Sequence, residues 1–233
     1  MSNHYGPKII TDGLVLCLDA ANTKSYLGTG TTWNDLSGNN NNGTLTNGPT
    51  FSSNNGGSIV FDGTNDRVAT TSPFGDIDWA TTAWSCCSFA NFTEYGDRTL
   101  VNLNSATSSN YVCTNIVGYN KIYWYFVKNS TNTQNGFSTA GNNFVNAPEL
   151  VYIVVTYNGS GLVTSNINFY KNGTLLTTAG GGLASITNTT SITIGGVNYP
   201  FKGNIYNFSL YNRVLSASEI SQNYNALKGR LAL

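Results

Sequence analysis

Apolar and polar positions alternate over short stretches along most of the chain, and clusters of Gly, Asn, Asp or Ser bound each stretch. This period of two is typical of half-buried strands in an antiparallel all-β protein. About a dozen such stretches are too many for a small seven-stranded sandwich, so we predict two larger sheets packed face to face. Residues 27–57 are expected to form a long loop with one short strand. The predicted strands are Leu14–Asp19, Ser58–Phe61, Arg67–Thr70, Ala83–Phe92, Thr99–Leu103, Tyr111–Val117, Lys121–Val127, Val151–Tyr157, Ile167–Lys171, Thr174–Thr178, Ser191–Ile194 and Asn204–Leu210.

One segment near the end of the chain follows a helical period instead. Ser216 and Glu219 have the spacing of a capping box, in which each side chain bonds the backbone amide of the other residue. Ile220, Tyr224 and Leu227 then fall on one face of a helix. We therefore predict a single short amphipathic helix that packs on one end of the sandwich and covers an edge there.

The composition separates this chain from proteins that bind through charge. Charged residues make up 9% of the 233 residues, and eleven basic side chains balance eleven acidic ones. Binding to a polyanion needs clustered Lys and Arg, so no nucleic-acid partner is predicted. Asn, with 34 residues, keeps the surface polar through neutral amides. The length fits one sandwich, and we divide the chain into an N-terminal arm, residues 1–11, and one domain, residues 12–233.

The first residues carry no sign of a secretion or membrane address. They lack a basic region, an apolar core and a small-residue cleavage site, and no apolar run approaches the roughly 20 residues that span a bilayer. We expect synthesis in the cytoplasm without a signal peptide, and no membrane insertion. The four cysteines are then expected to be free thiols. They are Cys17, Cys86, Cys87 and Cys113.

The N-terminal arm has little apolar periodicity and contains the pair Gly6-Pro7. Such a segment buries too little surface to order itself. We expect residues from Met1 to about Thr11 to become ordered against a neighbouring subunit or another protein, with Tyr5 and Pro7 making the contact.

Candidate catalytic groups are few. The glutamates are Glu94, Glu149 and Glu219, and none has the spacing of a paired-carboxylate site for glycoside hydrolysis. The single histidine, His4, lies in the arm, so it could join a nucleophile only if the arm folded into a cleft. We predict no enzymatic activity and no catalytic residue, and a glycoside hydrolase is the least favoured alternative.

An aromatic strand offers the sharper functional hypothesis. In the run from Tyr119 to Phe126, Trp124 and Phe126 share one face of a strand, while Tyr123 and Tyr125 share the other. Sugars stack their apolar faces on aromatic rings and offer hydroxyls to amides, which makes Tyr119, Tyr123 and Tyr125 candidate glycan contacts. The alternative is that one set lies in the core and the other only covers the outer sheet, since aromatic residues are good strand formers.

Several motifs in a fixed order resemble the laminin-G-like, concanavalin-A-like jelly-roll family. The resemblance covers nearly all of the chain after residue 10. It implies an all-β, two-sheet antiparallel jelly-roll sandwich with one short C-terminal helix, and it leaves the activity open, because this fold hosts lectins, hydrolases and structural modules. The segments that carry it are Asp12–Ala20, Trp33–Leu45, Ser58–Val68, Val154–Gly159, Phe169–Gly173, Ile194–Gly196, Phe201–Ile205 and Tyr211–Ile220.

The same resemblance raises calcium as a cofactor, because many laminin-G-like domains hold the ion with Asp side chains and loop carbonyls. Asp62 and Asp66 are the local carboxylates, with Asn65 between them. The alternative, which we favour, is that both aspartates cap a turn through side-chain hydrogen bonds to backbone amides. No metal site or other cofactor is therefore predicted.

Within that family, the segment Gly6–Leu14 and the single-domain length resemble virion proteins of tailed bacteriophages, especially marine ones. The resemblance implies a structural component of the virion surface, as a capsid decoration or cement protein or a tail-associated protein. Its partners would be other virion proteins and further copies of itself. The alternative is a glycan-binding adhesion module on the same particle, with host surface glycans as ligands.

Overall fold

The computed structural model describes residues 7–70, 74, 77, 81–94, 96, 98–105, 110–117, 121–128, 133–139, 147–161, 164–180, 189–196 and 199–231. At 103–105, 110–117, 121, 123–128, 133–137, 164, 179, 180, 189 and 190 it describes the backbone alone. These residues form seventeen strands and one α-helix. The elements are β1 (Leu14–Asp19), β2 (Thr32–Trp33), β3 (Gly43–Thr46), β4 (Thr50–Ser52), β5 (Ser58–Asp62), β6 (Arg67–Thr70), β7 (Trp84–Phe92), β8 (Arg98–Ser105), β9 (Asn110–Val117), β10 (Lys121–Lys128), β11 (Thr133–Thr139), β12 (Glu149–Tyr157), β13 (Ile167–Lys171), β14 (Thr174–Leu176), β15 (Thr178–Gly180), β16 (Thr189–Ile194), β17 (Lys202–Tyr211) and α1 (Ala217–Lys228), with short 3-10 turns at Asn54–Gly56 and Thr164–Asn166.

The strands form two antiparallel sheets. In sheet A the order is β14-β13-β12-β7-β17-β5-β4, and β1 pairs with the second half of β17. In sheet B the order is β15-β11-β10-β9-β8-β16-β6-β3-β2. Many neighbours are distant in sequence, such as β7 beside β17. Two antiparallel sheets with one helix confirm the predicted jelly-roll sandwich.

The strand pattern differs from the prediction in three places. The predicted strand Thr174–Thr178 is divided into β14, which lies in sheet A, and β15, which lies in sheet B. Three short strands, β2, β3 and β4, lie within residues 27–57, where one was expected. Strand β11 was not predicted, because Thr133–Thr139 has no apolar alternation. Pairing with β10 on one side and β15 on the other places it in sheet B. Cross-strand pairing can therefore recruit a segment whose own sequence does not favour a strand.

Large apolar side chains fill the space between the two sheets. Trp33 from sheet B and Trp84 and Phe92 from sheet A are all at most 1% exposed. Phe201 meets Phe92 and Phe61 edge-on, with ring centroids 5.0 Å and 5.7 Å apart. Such pairs contribute about 0.5–1.5 kcal/mol each beyond the area they bury. Residues of both sheets, such as Trp33 and Val68 of sheet B and Trp84 and Phe92 of sheet A, belong to one buried cluster.

Helix α1 covers the outer face of sheet A, and not one end of the sandwich as predicted. The outward positions of β7 and β12 carry Phe89 and Tyr152, which are at most 1% exposed. Ile220 and Leu227 of the helix join the same buried cluster, and the Tyr224 ring stacks on Phe89 with centroids 5.8 Å apart. The helix lies there because these outward apolar side chains would otherwise be exposed to water.

The predicted capping box is present at the start of α1. Ser216 Oγ accepts a hydrogen bond from Glu219 N at 3.3 Å, and Glu219 Oε2 accepts one from Ser216 N at 2.8 Å. Arg213 pairs with Glu219 through two further hydrogen bonds of 3.0 Å and 2.7 Å. These bonds, the arginine's above all, hold the pKa of Glu219 down at about 2. The helix start is thus fixed to the end of β17.

The side chains of Asp35 and Asn41, which we call the polar clasp, form hydrogen bonds along the outer edge of β1. Asp35 accepts hydrogen bonds from three backbone amides, Cys17 N at 2.8 Å, Ser37 N at 2.9 Å and Asn41 N at 3.0 Å. The Asn41 side chain donates to Val15 O at 2.7 Å. Since β1 pairs on its other side with β17, this edge would otherwise present unpaired amides and carbonyls to another chain. The clasp satisfies them with side chains.

The N-terminal segment is bound to its own domain from Lys8 onward. Asn223 Oδ1 accepts from Ile10 N at 2.8 Å, and Tyr211 Oη donates to Ile10 O at 3.0 Å. Gln222 donates to Lys8 O at 2.8 Å. The expectation that residues up to about Thr11 order only against another protein is therefore not met from Lys8 onward, because side chains of β17 and α1 supply the backbone's partners.

Candidate functional site

The outer face of sheet B presents small polar side chains. On β8, β16 and β6, Val101, Ile192, Ile194 and Val68 point into the core and are fully buried. Because strand side chains alternate between faces, the residues between them belong to the outer face. They form one cross-strand row of neighbouring positions, which we call the polar row. It consists of Thr44, Ala69, Thr193 and Asn102.

The centre of the polar row is recessed. Thr193 and Asn102 are each 5% exposed, whereas Ala69 is half-buried and Thr44 is exposed. Asn102 Oδ1 is buried and has no hydrogen-bond partner among the described residues. A buried oxygen without a donor is destabilising by about 1–3 kcal/mol, so it is rare in stable proteins unless a ligand or water supplies the donor. Asn102 therefore keeps a buried acceptor that no donor among the described residues satisfies.

The predicted tyrosines relate to this row through the backbone register. Tyr125 on β10 pairs with Cys113 on β9, and Cys113 pairs with Asn102 on β8. Two strand spacings of about 4.8 Å put positions 125 and 102 about 10 Å apart across the sheet. Tyr123 is two residues earlier on β10. The side chains of Tyr123 and Tyr125, and the whole of Tyr119, lie outside the described residues, and so does Tyr5.

The aspartates of the predicted calcium alternative act within a turn. Asp62 Oδ1 accepts from Thr64 N at 2.7 Å, and Asp66 Oδ2 accepts from Asp62 N at 2.9 Å. Burial raises the pKa of Asp66. Within the described part of the chain, His, Cys, Asp and Glu form no group of three or more that could hold a metal ion.

The three glutamates form four ion pairs at three separate places. Glu94 pairs with Lys202 and, at 3.1 Å, with Arg98. Hydrogen bonds from these two cations lower the pKa of Glu94. Glu149 pairs with Lys171 at 2.7 Å. Glu219 pairs with Arg213 in the helix cap, as described above. Each glutamate therefore has a cationic partner in the structure.

The cysteines offer no reactive thiolate among the described side chains. Cys17, Cys86 and Cys87 are buried free thiols. Burial raises the pKa of Cys17 and of Cys87 to about 12. A thiol with such a pKa is protonated at neutral pH, and the thiolate is the reactive form.

Pro7, which was expected to contact another protein together with Tyr5, is exposed.

A comparison with protein families identifies the fold's relatives. The profile described as the concanavalin A-like lectin/glucanases superfamily, of the laminin G type, matches residues 61–221. The chain belongs to this superfamily. The concanavalin A-like jelly-roll domain is thus established by sequence as well as by structure. No helix of the described residues is long and apolar enough to cross a membrane. A search for sequence relatives among curated proteins found no match.

Solved structures of the same fold include toxin and sialidase domains. The binding domain of botulinum neurotoxin DC in complex with SialylT has a TM-score of 0.68 and 16% identity, over 93% of this chain and 52% of that chain. The same toxin domain in complex with rat synaptotagmin II has a TM-score of 0.68 and 16% identity, over 94% of this chain and 52% of that chain. Trypanosoma rangeli sialidase in complex with a difluoro-KDN sugar has a TM-score of 0.64 and 16% identity, over 94% of this chain and 33% of the sialidase chain.

These likenesses describe the fold alone. The concanavalin A-like domain spans about half the length of the toxin chains that it matches. Sequence reasoning found the aromatic strand β10 but missed Asn102 and Thr193. A signal was present, since Asn102 lies between Val101 and Leu103 in a predicted strand and so occupies the face opposite to theirs.

Proposed function

We propose that this domain is a non-enzymatic glycan-binding module, and that the sugar binds on the outer face of sheet B. The observation that carries the proposal is the unpartnered, buried Oδ1 of Asn102 at the centre of the polar row. A sugar hydroxyl is a neutral donor that would satisfy this oxygen if it displaced the side chains that now bury it. Binding would then remove the penalty of the unsatisfied oxygen.

Tyr125, two strands from Asn102, is the aromatic residue that we propose for the second requirement of a sugar site. A pyranose ring has an apolar face that packs on an aromatic ring, and such rings provide large contact areas. The register puts Tyr125 two strands from Asn102 in the same row. The separation of about 10 Å suits a ligand of two or more sugar units, with one unit on the ring and another above the amide.

The solved relatives support sugars as the ligand class. The toxin binding domain was determined with SialylT, and the sialidase with a difluoro-KDN sugar. We base the location of the site on the polar row and not on those complexes. Glu94, Glu149 and Glu219 lie in ion pairs at three separate places, and most glycoside hydrolases use two carboxyl groups that face one cleft, which supports a binding role without hydrolysis.

The test is a glycan array probed with the labelled domain, followed by titration of the glycan that binds best. We expect Asn102→Ala and Tyr125→Ala each to weaken binding by about tenfold or more, because each removes a contact worth about 1–2 kcal/mol. Asn168→Ala is the matched control, because Asn168 lies on β13 of sheet A. Thermal melts verify that each variant is folded.

Two outcomes would contradict this proposal. One is an array with no glycan bound above background. The other is a loss of binding by Asn168→Ala as large as that of Asn102→Ala, which would move the site to sheet A.

A structural role on a bacteriophage particle is the second candidate. It is supported by the resemblance of Gly6–Leu14 to virion proteins and by the position of Pro7, which is exposed next to a segment fixed on the domain. The module would then be carried on the virion surface, with Tyr5 and Pro7 contacting other virion proteins. Deleting residues 1–7 keeps the contacts of Lys8 and Ile10 with α1. Undiminished incorporation of this variant into particles would place attachment elsewhere.

A further inference from the structure

The strands of sheet B contain basic residues and no acidic one. Neither Asp nor Glu occurs in any of its nine strands, although the whole chain has eleven residues of each sign. A surface of one sign attracts ligands of the opposite sign and disfavours those of its own. The basic residues of these strands are Arg67, Arg98, Lys121 and Lys128.

Arg67 belongs to the outer face of sheet B, beside the polar row. Val68, the next residue of β6, is fully buried in the core, so the alternation of a strand places Arg67 and Ala69 on the opposite face. Thr46 is the residue that pairs with Arg67 on β3. Neither Ala69 nor Thr46 can balance the charge of the arginine.

The guanidinium of Arg67 is the unpaired one among the four arginines of the chain. Arg98, Arg213 and Arg230 each hold a carboxylate, whereas Arg67 forms no ion pair with any described residue. Arg67 is half-buried, but none of its nitrogens is among the buried side-chain atoms that lack a partner, so solvent reaches them. Its planar fork of donors is therefore open to an anion with two oxygens.

We propose that the glycan bound on the outer face of sheet B carries a carboxylate, and that this carboxylate pairs with Arg67. The inference rests on the proposed glycan site and adds the chemical class of the sugar. Strand β6 is two strands from β8, on the side opposite to β10. The strand spacings put position 67 about 12 Å from position 102. The acidic sugar unit therefore lies at the end of the ligand that is distant from Tyr125.

The chemistry of the face favours a ligand with a single carboxylate. A uronic or sialic acid unit combines a planar carboxylate with hydroxyl groups, which suits one arginine beside small polar side chains. A polyanion needs a cluster of cations, and the polar row contains none. A neutral sugar gains no charge-assisted bond from Arg67.

Two acidic probes, sialyllactose and a xylotriose that bears one glucuronic acid, test the inference by calorimetric titration of the full chain. Each is compared with its methyl ester, which removes the charge and keeps the sugar. We expect at least one acid to bind about fivefold or more tightly than its ester, because the ester lacks the charge-assisted pair. Binding of that acid should also weaken between about 50 and about 500 mM salt.

A pair of variants assigns the preference to Arg67. Arg67→Gln should bind acid and ester equally, with the ester bound as by the wild type. Lys228→Gln is the matched control, because it removes the same charge from α1, and it should keep the preference. Thermal melts verify that both variants are folded.

The outcomes separate this inference from the proposed function. Failure of both acids to bind, equal binding of acid and ester, or a preference that Arg67→Gln retains would each overturn the carboxylate pairing. Neutral glycans bound on the array would then still support the glycan site. An array on which no glycan binds, neutral or acidic, would overturn both.

Discussion

Replacing Asp35 by alanine should destabilise the domain strongly, although this residue lies in a loop. Asp35 accepts hydrogen bonds from the amides of Cys17, Ser37 and Asn41, and from Ser37 Oγ at 2.6 Å. The Asp35→Ala variant removes every one of these acceptors. The Asn41 side chain, which bonds β1, also loses the contact that positions its backbone.

The size of the effect follows from which donors water can reach. Cys17 is 2% exposed, so its amide would lose its partner without replacement, at about 1–3 kcal/mol. Ser37 is half-buried, and water can substitute in part for the lost bonds there, which leaves about 1 kcal/mol. Asn41 is 5% exposed, so its amide adds about 1–3 kcal/mol in the same way as that of Cys17. The sum predicts a decrease of about 3–7 kcal/mol in the free energy of unfolding. For a domain of this size that corresponds to a melting temperature lower by about 6–28 °C.

Chemical denaturation of matched variants measures this decrease. Asp62→Ala is the control, because Asp62 is exposed and bonds one amide, that of Thr64, so its loss should be near 0.5–1 kcal/mol. Asp35→Asn should lie between the two, since an amide keeps one accepting oxygen. If Asp35→Ala and Asp62→Ala unfold at the same denaturant concentration, the clasp does not hold β1 and the reasoning fails.

Three further predictions concern the helix cap and the thiols. Ser216→Ala should lower the free energy of unfolding by about 0.5–2 kcal/mol through loss of the cap, and an unchanged melting curve would contradict this. Because the pKa of Glu219 is lowered from its ordinary 4.5 to about 2, its ion pair stabilises the fold above pH 4.5, and this contribution is lost as the pH falls to 2. The difference in unfolding free energy between wild type and Glu219→Gln should shrink over that interval, and a difference independent of pH would refute the assignment. Thiol titration of unreduced, denatured protein should find four reactive thiols, and two or fewer would contradict the prediction that all four cysteines are free. In the native protein Cys17, Cys86 and Cys87 should react slowly, because they are buried.

The sequence predicted the sandwich well because its central strands carry their own signal. Strand β12 has a run of apolar residues from Val151 to Val155, and β17 alternates around Ile205. The capping box was also readable, since all its contacts lie within four residues. Local patterns of this kind determine an element wherever it lies in the fold.

The polar features could not be predicted in the same way. Asp35 bonds Cys17, which is eighteen residues away, and no periodicity links a loop aspartate to a particular edge amide. The polar row joins Thr44, Thr193 and Asn102, which become neighbours only through sheet register. Asn223 binds Ile10 across 213 residues. Such contacts depend on the completed fold, which composition and periodicity do not specify.

Strand β17 has a consequence for the order in which the molecule can be made. This strand, formed by residues 202–211, lies between β7 on one side and β5 and β1 on the other. While the ribosome is still adding the residues before 202, those three strands have been synthesised but have no common neighbour to join them. Sheet A can therefore form completely only late in translation. Until then, the edges of β1, β5 and β7 that pair with β17 remain unpaired and exposed. A chain interrupted before residue 202 should be captured by chaperones or proteases, and it should not persist as a partly folded domain.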